Sequence, residues 1–511
     1  MKRKMNTDYR GGKKQLALNI VANVFSYGIS IAISFILTPI LINKLGHDSY
    51  SFYPLSTTIT NTMTIVTTAL NAMASRFITI SLHRKDNKNA NSYFASTLFV
   101  DSLLSIALLV IMTFFIIFID KFLNIPINLV ASVRILFIFT FSSLLVNVMS
   151  TVFGIATFAK NRIDLRSYRE IFTSLLRLGL FVLFYMILPP SLIYIGIITL
   201  IIALVNVIIQ FVFTKKLLPE ISFSVKNISK KHIKQLFSSS IWVMLNSLGN
   251  TLLASVTLIM LNRFYGTTQT SIVSISLTIP GFMGGIISTL VGVYFPIITK
   301  IYSDGDVEKL KKEVQKIQLI VGGLGCATIS VFSAVSSSFF SLWVPSEDNI
   351  RLSVLSLINL VPYLFTSCFW ITTSVNTAMN RVKIPAIATL IIGVSNVLIQ
   401  LLFGIFHVDY ISLPIICSSM QIVWTGVFMP LYLSKTTQTK WHYYFQPMLK
   451  LLGISIFVYA LTFALKEFIF LNSWFKFVVF GGLTGVGTLV IFFCALQPDI
   501  FSKIYLRIVK K

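Results

Sequence analysis

Fourteen apolar segments of about 20 residues recur along this 511-residue chain, and they constrain its fold more than any other feature. A segment of that length spans the ~30 Å hydrocarbon core of a bilayer as an α-helix. The chain is 55% hydrophobic and 12% charged, whereas a soluble domain has about 25% charged residues. We therefore predict an all-α polytopic membrane protein. The predicted spans are 16–41, 50–75, 93–118, 131–157, 168–188, 191–214, 238–262, 271–298, 315–337, 352–379, 384–406, 411–433, 446–467 and 474–496.

The net charge of +25 is explained by topology. With the N-terminus inside, 33 Lys and Arg residues fall in the cytoplasmic segments and six fall in the opposite loops. Basic residues collect in the cytoplasmic loops of membrane proteins. We therefore predict a multi-pass membrane protein with both termini in the cytoplasm, and no nucleic-acid partner.

The chain also predicts a duplicated architecture. Span 1 contains Leu-Asn-x3-Asn at 18–23 and ends near Gly46, and span 7 contains the same pattern at 245–250 and ends near Gly266. A six-helix unit repeated in one orientation accounts for this pattern. The predicted domains are an N-lobe at 1–214, a basic cytoplasmic linker at 215–237, a C-lobe at 238–433, and two additional helices with a basic tail at 434–511. The two lobes are predicted to be pseudo-symmetric.

Small polar residues follow one face of span 2 at steps of three and four. They are Thr57, Asn61, Thr64, Thr68, Asn71 and Ser75. Polar groups in hydrocarbon face protein or a hydrated cavity, so this face predicts a cavity lining. Close helix packing, which also favours small polar residues, is the alternative. The paired asparagines of the repeat, Asn19, Asn23, Asn246 and Asn250, are assigned to the same substrate path.

Charged residues inside the predicted spans are rarer than uncharged polar residues. Arg177 lies near the middle of span 5. It continues a face with Arg166, Arg169 or Glu170, and Thr173, forming a cationic path from the cytoplasm. A guanidinium is suited to binding a phosphate or carboxylate group in two-point contact. Asp101 is the one acid placed deep in a span, and two interpretations remain open. It pairs with Arg177 as a structural ion pair, or it couples transport to proton or sodium movement.

The cysteines, histidines and acidic residues form no recognisable catalytic or metal-binding motif in the sequence. The four cysteines are widely separated within apolar segments, and neither they nor the histidines have zinc-ligand spacing. The external loops are short and lack clustered carboxylates. We therefore predict no metal, no cofactor and no enzymatic activity.

Three stretches of the sequence carry a family resemblance. They read YRGGKKQLALNIVANVFSYGISIAISFILTPILINKLG, RSYREIFTSLLRLGLF and SLTIPGFMGGIISTLVGVYFPIITK. Together with fourteen spans, they resemble the Wzx-type polysaccharide flippases of the multidrug/oligosaccharidyl-lipid/polysaccharide exporter superfamily. The resemblance implies two six-helix lobes around a central cationic cavity. It also implies that an undecaprenyl-pyrophosphate-linked oligosaccharide moves from the inner to the outer leaflet by alternating access.

The substrate class that this resemblance implies is a capsule, exopolysaccharide or teichoic-acid-type repeat unit. Membrane lipids and glycan polymerase or ligase machinery are the other expected partners, and the bacterial plasma membrane is the location that the resemblance implies. Lipid II flippases carry arginines inside the first, second and eighth spans. This chain has no internal arginine in its first or eighth span, and Arg76 lies at the end of the second. That difference argues against lipid II and leaves Arg177 as the best cavity cation.

Two other functions compete with this interpretation. A multidrug and toxin extrusion antiporter of the same superfamily would need acids facing its cavity, and only Asp101 qualifies. A polysaccharide polymerase or a membrane glycosyltransferase would need catalytic groups on substantial outer loops. The sequence therefore favours a flippase.

Overall fold

Fourteen helices long and apolar enough to cross a membrane are present in a computed structural model that describes residues 2–221 and 224–496. The side chains at 2–14, 16, 17, 20, 83, 296 and 493–496 are outside that description, as is the predicted basic tail at 497–511. The spans are Val21–Tyr50, Ile65–Leu82, Asn87–Ile117, Ile127–Ala159, Ile163–Ile187, Ile193–Leu217, Lys230–Tyr265, Thr267–Ser303, Val307–Trp343, Asn349–Phe369, Lys383–Ile405, Ser412–Thr436, Trp441–Glu467 and Trp474–Phe492. Each overlaps its predicted segment, so the all-α polytopic fold is confirmed.

Several helices extend beyond the apolar segment that predicted them, because polar residues cap them. Span 3 begins at Asn87, where the Asp86 side chain accepts a hydrogen bond from the backbone N–H of Asn89. Span 9 begins at Val307 with the same arrangement, in which Asp306 accepts from the N–H of Lys309. An aspartate in this position satisfies a helix N–H group that would otherwise lack a partner.

The chain divides into two compact units, residues 1–271 and 272–511. In the first unit, span 1 packs on span 5, span 4 on span 6, and span 2 on spans 3 and 7. In the second unit, span 9 is the central helix and packs against spans 10, 13 and 14. Its core joins residues such as Ile317, Val321 and Phe369 to Leu451 of span 13.

The same turns recur in both halves of the sequence. Gly46 and Gly266 have φ values of 74° and 88°, Lys85 and Gly305 have 59° and 78°, and Asn161 and Asn380 have 53° and 55°. Members of each pair are 219 or 220 residues apart (46 to 266, 85 to 305, 161 to 380). Positive φ is uncommon outside glycine and asparagine. These turns therefore recur at nearly the same spacing, and the duplication with its predicted lobe boundaries stays a prediction.

Spans 2, 4 and 7 of the first unit are interrupted along their length, and span 7 is divided at Ser255 into Lys230–Ala254 and Val256–Tyr265. The helix Phe52–Met63 precedes Ile65–His83, and the two meet at Thr64; from here on, span 2 means both helices together. Span 4 passes through a short 3-10 segment at Thr151–Gly154. Hydroxyl side chains bond to the carbonyls at the first break, where Thr64 Oγ1 donates to the carbonyl of Asn61 over 2.8 Å. The backbone therefore stays satisfied although the regular helix stops.

Candidate functional site

A polar cavity of about 190 Å³ lies inside the first unit, between spans 2, 4, 5 and 6. It lies toward the ends at which spans 2, 4 and 6 begin, which is the predicted external half of the unit. The residues that line it are Tyr53, Ser56, Thr57, Thr60, Asn61, Thr140, Ser143, Asn147, Arg177, Phe181, Ile195 and Thr199. We call this space the outer pocket.

Arg177 is the one charged side chain among the lining residues of the outer pocket. It lies on the helix Ile163–Ile187, ten residues before the end, hence about 15 Å from that end. Phe181 follows one helical turn later and also lines the pocket. Arg177 is half-buried and makes no hydrogen bond or salt bridge with the described side chains. All of the N–H donors of its guanidinium group are therefore available to an anion.

The hydroxyl groups around Arg177 are arranged as acceptors. Thr60, Ser143 and Thr199 donate their hydroxyl hydrogens to backbone carbonyls over 2.6, 2.7 and 2.7 Å, which leaves oxygen lone pairs free. Asn61 and Asn147 add side-chain amides that have no hydrogen-bond partner among the described residues. The pocket can therefore accept hydrogen bonds from sugar hydroxyls, donate to them, and bind an anionic group at Arg177.

Asp101 lies away from Arg177, in a separate buried cluster. Its side chain is 0% exposed, and both carboxylate oxygens accept from Nδ2 of Asn71, over 3.2 and 3.1 Å. Oγ1 of Thr151 lies 3.4 Å from Oδ2, but its hydrogen also reaches the carbonyl of Val148 over 2.7 Å. The described side chains form no salt bridge to Asp101. The structural ion pair with Arg177, one of the two interpretations left open above, is therefore absent.

Asn19 is part of the turn that joins spans 4 and 5. Asn161 ends span 4 in the left-handed conformation, and Nδ2 of Asn19 donates to its carbonyl and its side-chain oxygen, both over 3.1 Å. Oδ1 of Asn19 accepts from the backbone N–H of Asp164 over 3.0 Å, at the start of span 5. Asn19 thus ties span 1 to this turn, and all of its amide atoms are engaged there.

The other predicted polar groups occupy different places. Asn23 is exposed and does not line the outer pocket. Asn250 donates to Asn246 one helical turn earlier, over 2.8 Å to its side-chain oxygen. These residues are outside the outer pocket, and their assignment to a substrate path stays a prediction.

Arg166 and Arg169 are joined to Glu170. Arg166 Nε donates to Glu170 over 2.9 Å, and Arg169 lies 3.6 Å from the same oxygen. Arg169 is 15% exposed, and its Nε has no hydrogen-bond partner among the described residues. The predicted cationic path is therefore partly neutralised in the half of span 5 that precedes Arg177.

Sequence reasoning assigned Arg177 and Asn61 to a site, and the structure places both in the outer pocket. It did not identify Tyr53, Thr140, Phe181 and Thr199 as lining residues. Phe181 had a usable signal, since it lies four residues after Arg177 on the same helical face. Thr199 also had one, since Asn206, Gln210 and Thr214 follow it at steps of seven, four and four in the same span.

Known proteins share both sequence and fold with this chain. The profile of a family described as polysaccharide biosynthesis protein matches residues 16–302. An uncharacterised membrane protein of Bacillus subtilis (strain 168), EpsK, is 26% identical over 464 residues, which cover 90% of this chain and 91% of EpsK.

Two kinds of solved structure superpose on it. The lipid II flippase MurJ in an inward closed conformation has a TM-score of 0.64 at 15% identity, over 95% of this chain and 100% of MurJ. A multidrug resistance MATE family transporter of the MOP superfamily, facing outward, has a TM-score of 0.61 at 14% identity, over 84% of this chain and 97% of the transporter. At such identities these likenesses establish the fold.

Proposed function

The chain belongs to the polysaccharide biosynthesis protein family, and from that premise we propose that it is a flippase for a lipid-linked oligosaccharide. Its substrate would be an undecaprenyl-diphosphate-linked repeat unit of a capsule, exopolysaccharide or teichoic-acid type, moved from the inner to the outer leaflet by alternating access. The observation that carries the proposal is Arg177, an unpaired cation in a pocket walled by hydroxyls and amides.

The chemistry of such a substrate matches the outer pocket. A diphosphate bears negative charge, and a glycan bears many hydroxyls, so neither crosses ~30 Å of hydrocarbon unaided. Arg177 offers charge-assisted hydrogen bonds to a phosphate oxygen, and these are about twice as strong as neutral ones. A pocket of about 190 Å³ accommodates one or two sugar or phosphate groups rather than a whole repeat unit. We therefore infer that it binds the diphosphate end.

A multidrug antiporter shares the fold but requires the opposite charge. Organic cations are attracted by carboxylates, and no acid lines the outer pocket among the described residues. Arg177 would repel them. The charge of this pocket therefore favours an anionic substrate over a cationic drug.

We assign energy coupling to Asp101. A fully buried carboxylate with one amide donor and no cationic partner is stable only when it carries a proton or when a small cation joins it. Nearby Oδ1 of Asn71 is buried without a hydrogen-bond partner and could complete either state. Exchange of a proton or sodium ion at Asp101 would then bias spans 2, 3 and 4, which meet there.

The proposal includes location and partners. We place the protein in the bacterial plasma membrane because it belongs to this family and resembles a membrane protein of a bacterium. We place both termini in the cytoplasm on the distribution of Lys and Arg among its loops. Membrane lipids surround it, and glycan polymerase or ligase machinery would consume the flipped repeat unit.

Reconstitution in liposomes tests the proposal. A fluorescent undecaprenyl-diphosphate oligosaccharide is placed in the inner leaflet, and its exposure to a membrane-impermeant quencher is followed with and without protein. We expect quenching of the inner label only when protein is present. If the label stays protected while the same vesicles take up a cationic dye, the chain is an extruder and the glycan proposal is wrong.

A further inference from the structure

A second polar pocket lies at the opposite end of the first unit, where span 2 ends and spans 3 and 7 begin. Its volume is about 360 Å³. The residues that line it are Phe77, Ile80, Ser81, Arg84, Asp86, Asn89, Tyr93, Lys231, His232 and Gln235. We call it the inner pocket, because these helix ends are predicted to be cytoplasmic. None of its residues lines the outer pocket.

The basic linker before span 7 is held against span 3 by specific hydrogen bonds. Ser92 Oγ donates to the carbonyl of Asn227 over 2.8 Å, and the N–H of Ser229 donates to Ser96 Oγ over 3.1 Å. Asn91 Nδ2 donates to the carbonyl of Glu220 over 3.2 Å. These bonds fix where span 7 begins, and therefore where its first basic residues lie.

His232 has a defined orientation within this contact. Its Nδ1 lies 2.7 Å from Ser92 Oγ. Because the hydroxyl hydrogen of Ser92 goes to Asn227, we assign Nδ1 as the donor in this contact, and Nε2 takes no part in it. The ring packs on Tyr93 with centroids 4.1 Å apart, and Tyr93 donates to Gln235 Oε1 over 2.7 Å. One wall of the pocket is therefore rigid and aromatic.

Two cations from different spans face this wall. Arg84 ends span 2 and Lys231 begins span 7, and neither forms a salt bridge with the described side chains. The one acid, Asp86, is engaged elsewhere, since it accepts from the N–H and the side-chain amide of Asn89, over 3.1 and 2.7 Å. Those two hydrogen bonds lower the pKa of Asp86, so it stays ionised at neutral pH. The pocket nevertheless keeps a positive balance.

We propose that the inner pocket binds the anionic phosphate headgroup of a membrane lipid, at a site separate from the outer pocket. Basic pockets between helices on the cytoplasmic side suit such headgroups, and the acyl chains can remain in the bilayer beside the exposed Ile80. Phosphate oxygens accept from Arg84 and Lys231, and Ser81, Asn89 and Gln235 supply further polar contacts.

The headgroup can come from two sources with the same chemistry. A bulk anionic phospholipid would bind as a regulatory or structural ligand. The lipid-linked diphosphate substrate would bind as a loading step before transport, and only this source rests on the proposed function.

Lipid binding by the purified full-length protein tests the proposal. The probes are phosphatidylglycerol, undecaprenyl diphosphate and, as a lipid without phosphate, diacylglycerol, and the readout is bound lipid by native mass spectrometry. The double variant Arg84→Gln/Lys231→Gln removes the two pocket cations. Its matched control is Lys88→Gln/Lys234→Gln, which removes two exposed lysines near the start of spans 3 and 7 that do not line the pocket. Asp86→Asn removes the acid and keeps a helix-capping side chain.

We expect the double variant to bind at least one phosphate lipid about 25-fold more weakly, from about fivefold per cation, and the control to change binding by about twofold or less. Asp86→Asn should bind up to about fivefold more tightly. Loss with phosphatidylglycerol identifies bulk phospholipid, and loss only with undecaprenyl diphosphate identifies substrate loading. Equal weakening in the control, or unchanged binding of both phosphate lipids, overturns the site.

Binding is measured without transport, so the two proposals fail separately. If the protein binds phosphate lipids at the inner pocket but flips no oligosaccharide, the proposed function is wrong and the lipid site stands.

Discussion

The outer and inner pockets are made from the same unit and both present cations, but they hold them in different surroundings. Arg177 of the outer pocket is half-buried among hydroxyl groups in mid-membrane helices. Arg84 and Lys231 of the inner pocket are exposed at helix ends, and one acid lies beside them. Coulomb interactions weaken as the surroundings become more polar. One half-buried arginine can therefore matter more than two exposed cations.

Span 2 connects the two pockets and passes the buried acid on the way. Asn61 lines the outer pocket, Asn71 bonds to Asp101, and Arg84 lines the inner pocket. From Asn61 to Asn71 is about 15 Å along the helix. A single span thus passes the proposed diphosphate site, the proposed coupling acid and the proposed lipid site.

The largest effect is expected from Arg177→Ala. A hydrogen bond to a charged group contributes about 1.5–3 kcal/mol, so flipping in liposomes should slow by about 10- to 100-fold. Lipid binding at the inner pocket should be unchanged, which would separate the two pockets.

Two variants control for folding in that experiment. Arg177→Lys keeps the charge and loses the planar fork, so it should retain part of the activity. Arg263→Ala removes an exposed arginine of the same unit outside either pocket and should flip normally. Normal flipping by Arg177→Ala would show that the outer pocket is not the diphosphate site.

Asp101→Asn should remove the response to an ion gradient. An asparagine fits the same space and hydrogen bonds but cannot exchange a proton or hold a sodium ion as a carboxylate does. We expect wild-type flipping to accelerate severalfold under a proton or sodium gradient, and the variant to flip at one rate with or without it. A variant that still responds to the gradient would place coupling elsewhere.

Asn19→Ala distinguishes a residue that stabilises the unit from one that contacts substrate. Its amide joins span 1 to the turn between spans 4 and 5, so truncation leaves Asp164 N–H and the Asn161 carbonyl without this partner. We expect a loss of about 1–3 kcal/mol in unfolding free energy, seen as a lower thermal midpoint. The half-saturating substrate concentration should not change. If that concentration rises while the thermal midpoint stays the same, Asn19 contacts the substrate.

Ionic strength should affect the two pockets unequally. The Debye length falls from about 10 Å at 0.1 M salt to about 3 Å at 1 M, and exposed charges are screened first. Lipid binding at Arg84 and Lys231 should weaken severalfold across that range. Flipping of substrate already loaded, which depends on Arg177, should change less, and an equal salt dependence would contradict the difference in burial.

The smallest effect is expected at Lys85, between Arg84 and Asp86. Its φ of 59° is left-handed, a conformation that costs a non-glycine residue roughly 1–2 kcal/mol. The corresponding position in the second half of the chain is Gly305. Lys85→Gly should therefore raise the thermal midpoint slightly and leave lipid binding within about twofold. A large drop in binding would mean that Lys85 itself contacts the headgroup.

The spans were predictable from the sequence because hydrophobic length is a local property. Arg177 was predictable for the same reason, since a charge in a span stands out against its neighbours. Asn19 and Asn61 were not distinguishable, because both are asparagines on polar helical faces. What separates them is the partner across the packing interface, a left-handed turn at Asn161 for one and a cavity for the other.

The inner pocket was not predictable at all. In the sequence, its basic residues are explained by their position in cytoplasmic loops, so they gave no separate indication of a binding site. Only the folded linker, held by Ser92 and Ser96, places Lys231 opposite Arg84. Long-range placement of this kind leaves no local pattern in the sequence.

The interruption at Thr64 has a mechanical consequence. Hydroxyls of Thr60, Thr62, Thr64 and Thr67 already bond to carbonyls three or four residues before them, so bending there breaks little. Such back-bonding is associated with curved helices. We expect span 2 to bend most easily between Asn61 and Asn71, so that its two helices move as rigid segments about a hinge at Thr64. The helix Phe52–Met63 would then tilt as the outer pocket opens or closes, while Asn71 of the helix Ile65–His83 stays hydrogen-bonded to Asp101.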